Sequence, residues 1–103
     1  MCHIYASTDP DLYRYVTRSV RLHGFVTSLR LEQRFWDILD EMAREENMTT
    51  PRFLARLHDE VEGLRGEVGN FASMLRVVCT AYLTRRLTES DEAQESGQAR
   101  RLG

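Results

Sequence analysis

The side chains with the most chemical reach in this sequence are three histidines (His3, His23, His58), two cysteines (Cys2, Cys79) and a basic complement made up wholly of arginine. Imidazole and thiolate bind transition metals, and compact metal sites space such ligands closely along the chain. Only the adjacent Cys2-His3 pair has that spacing, so the sequence predicts no metal and no cofactor. Cys79 lies in an apolar run and reads as a small buried hydrophobe. The glycines of GLRGEVGN are not followed by Lys-Ser/Thr and no strand precedes them, so they do not make a phosphate loop. No Ser/His/Asp or Cys/His set stands on a recognisable turn. The expectation is a protein that is not an enzyme.

The arginines are more informative. All 14 basic residues are arginine, which favours forked, bidentate contacts to carboxylates or phosphates over point charges. A net charge of −2 argues against a chain that coats nucleic acid indiscriminately. Charge is nevertheless segregated. Residues 12–31 hold four arginines (Arg14, Arg18, Arg21, Arg30) and no acid, while residues 32–69 hold ten acids against five arginines. Residues 70–88 again hold three arginines and no acid. Such a basic arm binds phosphates even on an acidic protein, although each arginine is equally well placed to pair with the acidic middle.

The elements that must position these groups follow from periodicity. With 103 residues, 42% of them hydrophobic, the chain builds one modest core. Residues 2–7 read as a short strand or edge ended by Asp9-Pro10, and residues 12–16 as either a helical turn or an extended piece. TRSVRLHGFVTSLRLE alternates polar and apolar, as a half-buried strand does. Its parity changes at Gly24, which reads as a bulge or bend; a hairpin is an alternative, though His23-Gly24 is not a favoured two-residue turn. Phe35, Trp36, Leu39, Met42 and Ala43 predict a helix from Gln33 to about Glu46, stopped at Asn47. Thr50-Pro51, or Thr49 as cap, starts a second helix, and Asn70 caps a third that is apolar most of the way round. In so small a chain that third helix implies a partner subunit. Residues 1–87 are expected to form the domain and the polar residues 88–103 a mobile tail. MCHIYASTDP has neither a basic start nor a long apolar stretch, and no run suits a bilayer, so the expected setting is cytoplasmic, without membrane association.

One convincing strand ahead of helices leaves unpaired backbone groups, and two copies laid antiparallel across a two-fold axis satisfy them. TSLRLEQRFWDILDEMAREENMTTPRFLARL resembles the ribbon-helix-helix family of Arc- and methionine-repressor-like proteins in its order of strand, Leu-Arg-Leu, helix, polar turn and helix. MC at the start, DPDLY, RSVRLHG, TSLRLE, FWDILDEMA and GNFASMLRV extend the similarity, over Met1 to Leu87, to a group of short bacterial ribbon-helix-helix domain proteins. The resemblance implies a mainly α, dimeric fold with an intermolecular antiparallel two-stranded β-ribbon and an additional third helix.

It also implies sequence-specific binding of double-stranded DNA in the major groove, and so a transcriptional regulator. With Leu29 and Leu31 inward, Val26, Ser28 and Arg30 face outward and would contact bases: Arg30 a guanine bidentately, Ser28 as donor or acceptor, Val26 a thymine methyl. Thr49, Thr50 and Arg52 at the second helix start, with Arg18 and Arg21 on the arm, would contact phosphate. Pro51 removes one donor there. The plainer assignments are Val26 as a strand former, Arg30 paired to an acid such as Glu32, the threonines as helix caps, and Trp36 with Phe35 as core. A homodimer, or a higher assembly on repeated half-sites, is expected. The alternatives are a protein-interaction or assembly module on the same fold without DNA recognition, and an antitoxin-like binding of a protein partner through the tail.

Overall fold

The computed structural model describes residues 3–102. In chain order it contains a helical turn α1 (His3–Ala6), a 3-10 turn (Pro10–Tyr13), strands β1 (Tyr15–Leu22) and β2 (Phe25–Glu32), and helices α2 (Gln33–Glu45), α3 (Thr50–Arg65) and α4 (Phe71–Leu102). The edge strand expected over residues 2–7 is instead the α1 turn for its described part, with Ser7 and Thr8 hydroxyls donating to the carbonyls of Ile4 and Tyr5. Asp9 then caps the 3-10 turn by accepting from the Asp11 amide at 3.0 Å. Cys2, and with it the Cys2-His3 pair, lies outside the described residues.

The two-stranded antiparallel ribbon is present, but both strands come from one chain: β1 pairs with β2 from Tyr15↔Glu32 to Leu22↔Phe25. One partner of the strand that the sequence leaves unpaired is therefore the preceding segment of the same chain. The connection is the two-residue turn His23-Gly24, with φ of 50° and 84°. Two successive positive φ values match the right-handed twist of the flanking strands. Glycine adopts one without strain, and histidine is among the residues that tolerate the other. The change of parity at Gly24 is this turn, which restores the inward face on the opposite strand.

The inward face of the hairpin packs on the helices. Val20, Leu22, Leu29 and Leu31 are buried with Trp36, Ile38 and Leu39 of α2, Leu54 of α3, and Phe71, Leu75 and Cys79 of α4. Trp36 is fully buried as expected, and its indole N–H donates to the Val16 carbonyl at 2.8 Å, so its single polar atom is satisfied. Burial pushes the Cys79 thiol up to about 11, which keeps it an inert hydrophobe at neutral pH.

Helix ends follow their local chemistry. Asn47 in the left-handed region (φ 56°) stops α2, and the Met48 amide closes back on the Ala43 carbonyl at 2.9 Å. Thr49, rather than Thr50, caps α3 by accepting from the Arg52 amide at 3.4 Å, and Gly66 ends it at φ 81°. Asn70 caps α4 by accepting from the Ser73 amide at 3.1 Å. The segment 88–102, expected as a mobile tail, continues the α4 helix.

Candidate nucleic-acid interface

Strand alternation sorts the hairpin into two faces. Val16, Arg18, Val20 and Leu22 of β1 stand on the same side as Thr27, Leu29 and Leu31 of β2, towards the helices. The other side carries Tyr15, Thr17, Ser19 and Arg21 opposite Glu32, Arg30, Ser28 and Val26, in that order. All of these are exposed except Glu32, so the expected row Val26, Ser28, Arg30 does face outward. β1 doubles the row with Thr17, Ser19 and Arg21, of which only Arg21 was singled out from the sequence. Without the hairpin register nothing paired Ser19 with Ser28 or Thr17 with Arg30.

Arg30 is the central side chain of this face. Its guanidinium lies 4.3 Å from the centroid of the Tyr15 ring. Such a cation–π contact contributes about 0.5–1 kcal/mol at an exposed site. Arg30 has no carboxylate partner among the described residues. The acid proposed as its alternative partner, Glu32, is taken by Arg76 of α4, whose Nε and Nη2 both donate to Glu32 Oε1 at 3.0 and 2.9 Å. The Arg76 hydrogen bond outweighs partial burial and, with the Glu32 amide and the Arg76 charge, holds the Glu32 carboxyl below its ordinary range. The one acid on the outward row is thereby neutralised.

Arg18, expected at phosphate, lies on the other face, towards the helices. It makes a bidentate pair with Asp40 of α2, at 3.0 and 3.2 Å, and stacks 4.4 Å from the Trp36 ring centroid. The same Asp40 Oδ1 accepts from the Thr50 hydroxyl at 2.6 Å, so one carboxylate ties β1, α2 and the start of α3 together. Burial pushes the Asp40 carboxyl up, but hydrogen bonds from Arg18 and Thr50, with the Arg18 and Arg44 charges, outweigh it and hold the group below the usual carboxylate range.

At the start of α3 the groups expected to hold phosphate are partly committed. The Thr49 hydroxyl takes the Arg52 amide, the Thr50 hydroxyl serves Asp40, and Pro51 offers no N–H. The Thr50 amide and the exposed Arg52 side chain remain for an anion.

The hairpin parity also fixes which backbone groups stay open. The Gln33 amide donates to the Arg14 carbonyl at 2.9 Å, extending the ladder by one pair. Counting inward from that pair, Val16/Leu31, Arg18/Leu29 and Val20/Thr27 exchange hydrogen bonds. The N–H and C=O groups of Val26, Ser28 and Arg30 therefore point away from β1, along the open edge of β2.

A cluster that sequence spacing gave no reason to assemble lies at the hairpin tip. His23 of the turn contacts the Asp59 carboxylate of α3 through Nε2, beside His58. Thirty-five residues separate the two histidines, and only the tertiary packing of hairpin on α3 joins them.

A two-stranded ribbon followed by two packed helices, with a polar, arginine-bearing outer face, defines a ribbon-helix-helix domain. The chain matches the ribbon-helix-helix domain family over residues 15–83 and belongs to it. That family is in general one of DNA-binding regulators. Among solved structures the chain is similar to an uncharacterized protein from Bordetella pertussis Tohama I, with 43% identity, a TM-score of 0.83, and coverage of 86% of this chain and 71% of that one. Nothing among the curated proteins matches. No helix among the described residues is long and apolar enough to cross a membrane.

Proposed function

We propose that this protein is a sequence-specific DNA-binding dimer acting as a transcriptional regulator, with the outward face of its ribbon in the major groove. One observation carries the reading. The exposed row of Thr17, Ser19, Arg21, Val26, Ser28 and Arg30 holds two arginines, three hydroxyls and no acid, and the half-buried Glu32 at the end of the same face is occupied by Arg76. The major groove admits a two-stranded ribbon, and an arginine presented edge-on bonds guanine O6 and N7 together. The contact with Tyr15 restrains the Arg30 side chain before DNA arrives, which lowers the ordering cost of binding. Val26 supplies an apolar contact for a thymine methyl, and Arg21, Arg52 and the Thr50 amide supply phosphate contacts that set register. The open edge of β2 is where a second copy would pair, placing two such rows side by side.

The test is selection of preferred duplexes from a random pool, followed by affinity measurement at fixed moderate salt. Arg30→Ala is expected to weaken the selected site by about 10- to 100-fold, corresponding to about 1–3 kcal/mol, and to relax preference at one base pair per half-site. Unchanged affinity and preference in that variant would remove the ribbon as the reader.

A second reading has its own observation. Tyr15, Phe25 and Val26 are all more than half exposed on the hairpin, an apolar content that suits a protein-interaction module. Recovery of a stable protein complex whose formation is lost in Phe25→Ala, with no preferred duplex, would favour that reading.

A further inference from the structure

We propose that His23, His58 and Asp59 form a binding site for a divalent transition-metal ion of the zinc class, fastening the hairpin tip to α3. This inference is independent of what the ribbon face binds.

The geometry begins at the turn. His23 is held at φ 50° by the two-residue connection, and its ring reaches α3, where Nε2 meets the Asp59 carboxylate. His58 is the neighbour of Asp59 on the same helix, and its ring centroid lies 6.0 Å from that of His23. One donor atom from each of the three residues falls within 4.8 Å of the other two. Ligand atoms on a tetrahedral ion with bonds of about 2.0–2.2 Å stand roughly 3.4 Å apart, so the set closes on a cation with small side-chain movements.

A simple hydrogen bond between His23 and Asp59 leaves His58 unexplained. The His58 side chain is mostly buried, and its Nδ1 has no hydrogen-bond partner among the described residues. The Glu62 carboxylate stands 3.8 Å from Nδ1, too far for a hydrogen bond. Phe71 packs edge-on against the ring at 5.2 Å and limits its rotation. An imidazole that ligates a metal through one nitrogen commonly directs its other N–H to a carboxylate, and a small side-chain movement would bring Glu62 from 3.8 Å into reach for that role. Metal coordination therefore accounts for all four side chains.

Two imidazoles and one carboxylate suit zinc, nickel, cobalt or copper and do not suit magnesium or calcium, which take oxygen donors. His23 and Asp59 are about half exposed, so an ion has an entry path and a fourth position open to water. The site bridges β1–β2 to α3 at a point where no other polar group joins the turn to that helix among the described residues.

The experiment titrates the full, metal-free chain with zinc chloride alone, read by calorimetry and by thermal unfolding, with magnesium chloride as the comparison. One zinc per chain is expected, with Tm rising by roughly 10 °C when free zinc exceeds the Kd about 100-fold. His23→Asn keeps a residue suited to positive φ, and Asp59→Asn keeps the side-chain shape. Each is expected to retain the native circular dichroism spectrum and to weaken zinc binding by more than about 10-fold. Binding undiminished in both variants, magnesium binding as tightly as zinc, or no saturable zinc binding up to about 1 mM overturns the proposal.

Discussion

Arg18 and Arg30 stand on paired strands of the same hairpin, each over an aromatic ring, yet their surroundings are opposite. Arg18 lies over Trp36 and is held by both oxygens of Asp40; Arg30 lies over Tyr15 and has no carboxylate partner among the described residues. Residue type and local charge do not separate them, since both belong to the acid-free stretch 12–31. What separates them is parity along the strand, which sends one side chain to the helices and the other to solvent. On this hairpin an arginine is structural or available according to which side of the pleat it occupies.

The contrast can be broken most forcefully at neighbouring positions on β2. Leu31→Ala empties a fully buried site between ribbon and helices, and a loss of about 2–5 kcal/mol in denaturant unfolding is expected. A loss below about 1 kcal/mol, on the order of a surface substitution, would mean that the inward face is not the core. Next in size is the Asp40 junction. Because its folded-state carboxyl sits below the unfolded value, its stabilisation is complete above the unfolded pKa, near 4, and is lost as pH falls through the folded pKa. Acid titration of Asp40→Asn should therefore show lower stability than the native chain at neutral pH and a smaller decline below about pH 4. Parallel acid profiles for the two proteins would show that the Arg18–Asp40–Thr50 junction contributes nothing. The smallest effect is expected one residue from the largest: Arg30→Ala should change stability by no more than about 0.5–1 kcal/mol, the worth of its stacking on Tyr15. A larger loss would place Arg30 with Arg18 as a structural residue.

Much of this arrangement was legible in the residues. The 3.6-residue spacing from Phe35 to Ala43 and from Phe53 to Leu64 marks α2 and α3, and Asn47, Thr49 and Asn70 mark helix ends through their own side-chain and backbone chemistry. Alternation over residues 25–31 placed Leu29 and Leu31 inward and Val26, Ser28 and Arg30 outward. The partner of that strand was not legible, because His23-Gly24 is an uncommon hairpin turn and an unpaired strand calls equally for a second copy. The Arg18–Asp40 pair was hidden for the same reason: the acceptor lies 22 residues away on α2, and only the hairpin turns Arg18 inward. The Glu32–Arg76 pair and the His23–His58–Asp59 cluster likewise join residues that no local pattern connects. The short N-terminal segment is governed by side-chain caps at Ser7, Thr8 and Asp9, which propensity over so few residues does not reveal.

The ladder parity gives Val26, Ser28 and Arg30 a double duty. Their side chains form the outer surface, while their peptide groups line the margin of the sheet that β1 leaves uncovered. On the proposed reading, in which the outer face reads DNA and a second copy docks on this margin, chemical lettering and strand docking reside in the same few residues but in different atoms. Selection could then rewrite what the surface recognises without disturbing how sheets adjoin, and backbone N-methylation at this margin would alter the joining while sparing the lettering.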